Sequence, residues 1–160
     1  MSPVASRRVL VAILLVYVVL GVLYAVETPA WQAPDEPAHY NYIRHIAETG
    51  RLPVLREGDF PSDYMEEIKA RRFPPEMPVD PLRYEAHQPP LYYLLGAGVY
   101  RLAGWLGAPA LLALRLLTLA LGTLALVAGY EAVRLAFPSE PTVALGAVAL
   151  AATLPMHVAT

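Results

Sequence analysis

The sequence predicts an all-α integral membrane protein, and its composition and charge distribution lead to this fold class. Hydrophobic residues make up 56% of the 160 residues and charged residues only 16%, whereas soluble domains usually carry about 25% charged residues. The charges are also concentrated. Twelve of the 14 acidic residues and seven of the 12 basic residues lie between Glu27 and Glu85, a net charge of −5. We therefore expect apolar helices on either side of one hydrophilic segment.

The first apolar segment, residues 1–26, predicts an N-terminal transmembrane helix. Its uncharged run, Val9 to Val26, has 18 residues, close to the roughly 20 that cross a bilayer as a helix. Arg7 and Arg8 precede this run, and basic residues stay on the cytoplasmic side of a membrane. We therefore expect a cytoplasmic N-terminus in a bacterial plasma membrane. A cleaved signal peptide is the alternative, which the length of the run and the later apolar segments disfavour.

Residues 27–88 predict an extracytoplasmic loop that contains two short amphipathic helices, near 36–49 and 63–72. Three residues mark the cap, the first turn and the end of the first helix: Asp35, Pro37 and Gly50. The second helix begins with the Asp-x-x-Glu spacing of a capping box, Asp63 with Glu66. Both helices are too short to be stable alone in water, so we expect them to lie against the membrane surface or the membrane helices.

Three further apolar segments predict three more membrane helices. They cover residues 89–106, 110–136 and 142–160. Strict alternation places Gly107–Pro109 inside and Phe137–Pro141 outside, but Arg134 mildly disagrees, which leaves the orientation of the last two helices open. The last segment is still apolar at Thr160, so we expect the chain to continue beyond this residue.

An Asp-Glu pair followed by a histidine lies soon after the first helix leaves the membrane. Asp35 and Glu36 are candidate catalytic carboxylates at the membrane surface, where a lipid-borne substrate can reach them, and His39 is a candidate substrate-binding residue. The competing structural interpretation is that Asp35 caps the following helix, worth ~1 kcal/mol, and that Glu36 suits the N-terminal helix dipole. The two interpretations are compatible, because a cap would also hold the carboxylate in place.

A second motif, Tyr84-Glu-Ala-His-Gln-Pro-Pro-Leu-Tyr-Tyr93, opens the next apolar segment. Prolines suit the start of a helix, and tyrosines suit the membrane interface. Neither preference explains Glu85 and His87. We therefore expect these two residues at the same interface as Asp35, where they are candidate substrate-binding residues.

The remaining polar residues restrict the possible chemistry. His39 and His45 are six residues apart on different helix faces, and no tight ligand spacing such as HExxH occurs, so no metal site is predicted. Arg115 lies within an apolar segment, where an arginine more often snorkels than binds a lipid phosphate; it is kept as a substrate-binding candidate. The chain contains no cysteine, which excludes disulfides and thiolate sites. Its net charge of −2 argues against nucleic acid as a partner.

Five features of the sequence follow one another in a characteristic order. They are an N-terminal membrane helix, an external Asp-Glu pair, a helix ending in Gly before Leu-Pro, a Gln-Pro-Pro-Leu-Tyr-Tyr helix start and an Arg-Leu-Leu-Thr-Leu-Ala-Leu-Gly segment. This order resembles the N-terminal part of the C-type membrane glycosyltransferases, in particular the protein mannosyltransferase and aminoarabinose transferase group (glycosyltransferase family 39-like). The resemblance covers nearly all of this chain but only the first part of such an enzyme.

The resemblance implies transfer of a sugar from a polyprenyl-phosphate donor to an acceptor outside the cytoplasm. Asp35 matches the position of the family's acidic catalytic candidate in the first external loop, and Glu36 is the adjacent acid. A second acidic residue usually follows the segment that corresponds to Ala144–Thr160. Because this sequence ends before that point, we expect the fragment alone to be inactive.

A sugar phosphate already has a good leaving group, so transfer needs a base for the attacking hydroxyl and positive charge for the departing phosphate. Asp35 meets the first need, and Arg44, Arg51, Arg83 or a bound divalent cation could meet the second. The alternative from another class is a non-catalytic membrane module, such as a scaffold or a component of lipid or polysaccharide export. A polyprenyl-sugar flippase component is a third possibility.

Overall fold

The computed structural model describes residues 2–154, and over this range the fold is entirely helical. Its six α-helices are α1 (Pro3–Glu27), α2 (Glu36–Thr49), α3 (Ser62–Ala70), α4 (Leu91–Leu106), α5 (Ala110–Ala136) and α6 (Pro141–Thr153). A 3₁₀ turn, Tyr84–His87, precedes α4, and no strand occurs within these residues. The all-α prediction is therefore confirmed for the described range. The end of the last predicted membrane helix, residues 155–160, lies outside it.

Within residues 2–154, two helices have the length and composition needed to cross a membrane. They are Val4–Glu27 within α1 and Ala110–Ala136, which is α5. α6 is apolar but has only 13 residues. α4 has 16 residues, which is about 24 Å at 1.5 Å per residue and shorter than a hydrocarbon core of ~30 Å. The long helices agree with the predicted spans at 1–26 and 110–136, whereas the spans at 89–106 and 142–160 stay predictions.

The ends of α2 are defined by its backbone, and the predicted side-chain cap at Asp35 is wrong. Asp35 occupies the left-handed region (φ 55°), and its carboxylate makes no capping hydrogen bond. Its backbone carbonyl accepts the first helical hydrogen bonds instead. Pro37 lies in the first turn as predicted. Gly50 ends the helix as predicted, because a φ of 70° suits glycine.

α3 begins one residue earlier and ends two residues earlier than the predicted 63–72. The predicted capping box is also wrong. Pro61 occupies the N-cap position, which has no side-chain hydrogen bond, and Asp63 already lies within the first turn. The carbonyl oxygen of Pro61 accepts the first helical hydrogen bond, from the backbone N–H of Met65 (2.9 Å).

The chain divides into two compact units. The first contains α1, the part of α5 from Arg115 onward, and α6. Apolar side chains fill its core, among them Tyr17 and Val148. Gly21 allows close helix packing, because a side chain at this position would collide with Leu119. The first unit is therefore held mainly by the fit of apolar surfaces.

The second unit, Thr28–Leu114, carries the hydrophilic segment, α4 and the start of α5. Here α2 packs along α4, with Ile43 against Gly96 and the ring of Tyr42 stacked on that of Tyr93 at 3.7 Å. A smaller core joins α3 to the segment that follows it: Met65, Ile68 and Leu82. The hydrophilic segment thus has a defined fold of its own.

Candidate active site

The loop between α1 and α2 presents Asp35 in a strained conformation. Trp31 and Asp35 have φ values of 69° and 55°, which cost of order 1–3 kcal/mol each for residues other than glycine. The backbone N–H of Trp31 donates a hydrogen bond to the Glu36 carboxylate (2.7 Å), and the Trp31 ring packs edge-on against Tyr40 (5.0 Å). These contacts hold the loop and leave the Asp35 carboxylate to bind groups outside α2.

The partner of Asp35 is Tyr84, the first residue of the 3₁₀ turn. The Tyr84 hydroxyl donates a hydrogen bond to Oδ1 of Asp35 (2.8 Å), and Phe60 packs edge-on against the Tyr84 ring (5.3 Å). Burial raises the pKa of Tyr84, and the hydrogen bond to Asp35 raises it further. Tyr84 therefore remains a protonated donor at neutral pH, and it fixes the orientation of the carboxylate.

An open cleft of about 360 Å³ lies beside Asp35. Its lining includes a carboxylate, two cations and three aromatic rings: Asp35, Lys69, Arg72, Trp31, Phe73 and Tyr84. Buried apolar side chains complete it, among them Met65 and Leu82. Small-molecule sites usually combine apolar walls with a few convergent polar groups. The two cations favour an anionic ligand.

Backbone strain is concentrated at this cleft. Within residues 2–154, four residues other than glycine have a positive φ: Trp31, Asp35, Arg72 and Phe73. All four line the cleft. Bulky residues rarely adopt this conformation, and strained residues cluster at ligand sites and active sites. The strain marks the cleft as a functional candidate independently of its chemical lining.

The two cations of the cleft, Lys69 and Arg72, were not among the predicted site residues. Arg71 between them pairs with Glu67 and Glu76. Among the residues that the structure describes, neither Lys69 nor Arg72 has an ion-pair partner. The only signal in the sequence is the Lys-Ala-Arg-Arg cluster at the end of the predicted helix. Which of its cations reaches the cleft depends on the residue at which α3 ends.

A second polar cluster lies where α2 meets the 3₁₀ turn and α4. Nδ1 of His39 lies 2.8 Å from the hydroxyl oxygen of Tyr93. Glu85 is only 9% exposed, and its Oε2 has no hydrogen-bond partner among the described residues. Burial lowers the pKa of His39, although the carboxylates of Glu85 and Asp35 act in the opposite direction. The imidazole is therefore mainly neutral at pH 7.

The structure brings the two predicted motifs together within the second unit. Besides the Tyr84–Asp35 hydrogen bond, the hydroxyl of Tyr42 donates to the carbonyl oxygen of Gln88 (3.2 Å). The two ends of the hydrophilic segment therefore meet, as the sequence indicated. Only one of the two predicted catalytic carboxylates, that of Asp35, lines the cleft.

The other predicted site residues lie elsewhere. The Glu36 carboxylate holds the loop at Trp31. His87 is exposed, and its Nδ1 lies 2.8 Å from the carbonyl oxygen of Tyr84. Arg115 belongs to the first unit, where its guanidinium donates to the carbonyl oxygen of Ala25 (2.9 Å).

The three arginines expected to face a phosphate do not line the cleft either. The guanidinium of Arg44 forms an ion pair with Asp80, and Nε of Arg83 donates to the Asp80 carbonyl oxygen (3.1 Å). Arg51 is exposed. Within residues 2–154, no three His, Asp or Glu side chains come close enough together to hold a metal ion.

No protein-family model matches the chain, and comparison with curated proteins and with solved structures gives no match. The geometry of the cleft and the order of the sequence features are therefore the basis for assigning a function.

Proposed function

We propose that this chain is the N-terminal part of a polyprenyl-phosphate-sugar-dependent glycosyltransferase of the C-type membrane superfamily, with Asp35 as its base. The observation that carries the proposal is that the carboxylate of Asp35 lines the same cleft as Lys69 and Arg72. A carboxylate suits the attacking hydroxyl, and two cations suit the departing phosphate. The order of the sequence features supports the same assignment.

The membrane setting is part of this proposal. α1 and α5 have the length and composition of membrane-spanning helices. Arg7 and Arg8 favour a cytoplasmic N-terminus, and the proposal accordingly assigns residues 27–88 to the outer side of the plasma membrane. A polyprenyl-phosphate sugar keeps its lipid chain in the bilayer and its phosphate at the surface. A polar unit joined directly to membrane helices is suited to reach such a donor.

The proposed reaction is a direct displacement at the anomeric carbon of the donor sugar. The oxygen of an acceptor hydroxyl attacks this carbon, and its proton passes to the Asp35 carboxylate. The bond between the anomeric carbon and the phosphate oxygen breaks, and polyprenyl phosphate leaves with the electron pair. Lys69 and Arg72 stabilise the charge on the phosphate. Attack opposite the leaving group inverts the anomeric configuration, and Asp35 later releases its proton to water.

The surrounding side chains position these groups. Tyr84 holds one oxygen of the Asp35 carboxylate, which leaves the other oxygen for the acceptor hydroxyl. The rings of Trp31 and Phe73 line the same cleft and offer flat apolar surfaces for a sugar. Orientation of the base before the reaction lowers the entropic cost of the transition state.

Asp35→Asn in the full-length protein tests the proposal most directly. The amide keeps the size of the side chain and can still accept a hydrogen bond from Tyr84, but it cannot act as the base. General-base catalysis contributes about 10²–10⁴-fold, so we expect at least a ~100-fold loss of sugar transfer in liposomes that contain the polyprenyl-phosphate sugar. Glu36→Gln is the matched control, because Gln still accepts the hydrogen bond from Trp31. It is expected to retain most of the activity.

Binding of the donor lipid is measured in parallel. Asp35→Asn should bind the donor, whereas Lys69→Gln and Arg72→Gln should weaken its binding. Wild-type turnover by Asp35→Asn would overturn the assignment of the base. Donor binding without any transfer by the wild-type protein would favour the non-catalytic membrane module.

A further inference from the structure

Contacts within the first unit define the relative direction of the two candidate spans, α1 and α5. Three contacts join them: Ala25 with Arg115, Gly21 with Leu119, and Tyr17 with Gly122. The residue numbers decrease along α1 as they increase along α5, so the two helices are antiparallel. The end of α1 and the beginning of α5 therefore lie at the same end of this helix pair.

This direction constrains α4, which lies between the two spans in the sequence. If α1 and α5 each cross the membrane, residues 27 and 110 lie on the same side of it. A single crossing by α4 would place them on opposite sides. The chain between them therefore crosses an even number of times. Among α2, α3 and α4, only α4 is apolar. One apolar helix cannot supply two crossings, so the number of crossings between residues 27 and 110 is zero.

One face of α4 is covered by the polar helix α2. The buried residues of this face are Tyr93, Gly96, Ala97 and Ala103. Gly96 lies against Ile43, and Nε of Arg101 donates to the carbonyl oxygen of Ala47 (2.8 Å), so the contact extends along most of both helices. α2 also carries charged side chains, including Arg44 and Glu48. Each would cost roughly 2.5–3.5 kcal/mol at the centre of a bilayer, so α2 and α4 are poorly suited to cross together.

The opposite face of α4 is a stripe of large exposed hydrophobic side chains. Its members are Leu91, Leu94, Leu95, Leu102, Trp105 and Leu106. Spacings of three and four residues place them on one side of the helix. Leu91 at one end is 72% exposed and Trp105 near the other is 81% exposed. A contiguous exposed apolar surface of this kind marks a contact site.

We propose that α4 lies along the extracytoplasmic surface of the bilayer, with this stripe in the boundary between headgroups and acyl chains. Helices with one apolar face bind in this plane, and tryptophan is enriched there. The chain itself holds α4 at the bilayer, because the candidate span α5 begins at Ala110, directly after the short link Gly107–Pro109. This placement replaces the membrane crossing expected for residues 89–106, and it does not depend on sugar transfer.

Single spin labels test the proposal, because residues 1–160 contain no native cysteine and any cysteine in the rest of the full-length protein can first be replaced by serine. Leu94→Cys, Leu95→Cys and Leu102→Cys are labelled in the full-length protein in liposomes. Collision rates with oxygen and with a water-soluble nickel chelate then give the depth of each label. We expect all three labels at the same shallow depth. Leu124→Cys on α5, which is 64% exposed, provides the deep reference, and Glu48→Cys provides the aqueous one.

A label at Leu91 separates the surface helix from a crossing helix. A helix that crosses the bilayer would separate Leu91→Cys from Leu102→Cys by about 16 Å in depth, and a steady change of this size would overturn the proposal. Labels that neither reagent reaches would show that protein covers the stripe, and labels fully open to the chelate would place it in water. Either result also overturns the proposal. Far-UV circular dichroism checks that each variant keeps its helical fold.

Discussion

Each of the two compact units of this protein is stabilised internally by a different set of interactions. In the first, apolar side chains of α1, α5 and α6 fill a continuous core. The second has two apolar cores, but individual polar side chains also join its distant segments, as Asn41 does between α2 and the residues near Leu82. Apolar packing tolerates exchanges of similar volume, whereas a buried polar contact depends on one donor at one position. We therefore expect the second unit to be sensitive to polar deletions and the first to changes of volume.

Asn41→Ala should have the largest effect on stability. Asn41 is 5% exposed, and its amide donates to the carbonyl oxygens of Val79 (2.7 Å) and Leu82 (2.9 Å). Alanine would remove both hydrogen bonds and leave the Leu82 carbonyl without this donor, whereas the Val79 carbonyl still accepts the backbone N–H of Leu82 (3.0 Å). We expect a loss of about 2–4 kcal/mol in total. The midpoint of urea unfolding, followed by tryptophan fluorescence, measures this effect on the second unit, which contains both tryptophans of the chain.

Thr123→Ala is the counterpart in the first unit. The hydroxyl of Thr123 donates to the carbonyl oxygen of Leu119, one turn earlier in α5. This carbonyl already belongs to a helical turn. Removal of the hydroxyl should change stability by less than about 0.5 kcal/mol. If Asn41→Ala were equally mild, the contrast between the two units would be wrong.

Gly122→Ala should destabilise the first unit by about 1–3 kcal/mol, which is the usual cost of overpacking. A methyl group at Gly122 would collide with the hydroxyl oxygen of Tyr17. Among the residues that the structure describes, none outside the helix backbone lies within 4 Å of the corresponding position at Gly129 on the same helix. Gly129→Ala should therefore be neutral or slightly stabilising, because alanine favours the helix. Denaturation in detergent micelles, followed by far-UV circular dichroism, compares the two variants.

A double-mutant cycle with Tyr17→Phe tests the cause of the Gly122→Ala effect. The phenylalanine ring lacks the oxygen that the new methyl group would meet, so it should recover much of the loss. A coupling energy near zero between the two substitutions would contradict the collision.

The helices could be predicted from the sequence because their signals are local. The bounds of α5 agree with the predicted 110–136, and Gly50 ends α2 as expected. The side-chain cap at Asp35 was wrong because the preference for Asp at a helix start does not determine whether its carboxylate turns inward. In the structure a competing partner, Tyr84, lies 49 residues away and takes that carboxylate.

The candidate site was only partly predictable for the same reason. Asp35 could be identified from its position after the first helix, and the meeting of the two motifs was expected. Lys69 and Arg72 could not be chosen from a cluster of basic residues, because their approach to the cleft depends on a left-handed turn at the end of α3. Asn41 gave no signal at all, since its acceptors are the carbonyls of residues 38 and 41 positions further along the chain.

Acidification should lower the free energy of unfolding of the second unit, and this should be the smallest of the effects on stability. Burial lowers the pKa of His39 below its ordinary value of 6.5. Between the lowered pKa and 6.5, the unfolded chain binds a proton that the folded chain does not bind. The free energy of unfolding should therefore fall as the pH decreases through 6.5, and level off below the pKa of the folded state. Urea unfolding followed by tryptophan fluorescence at a series of pH values measures this decrease.

His39→Gln should remove this part of the pH dependence, whereas His87→Gln should retain it because His39 is still present. Glu85→Gln sharpens the test. The Glu85 carboxylate raises the pKa of His39 against the effect of burial, so its removal should lower that pKa further. The range over which stability falls would then extend to lower pH. If Glu85→Gln left this range unchanged, or if His39→Gln kept the full dependence, another group would be responsible for it.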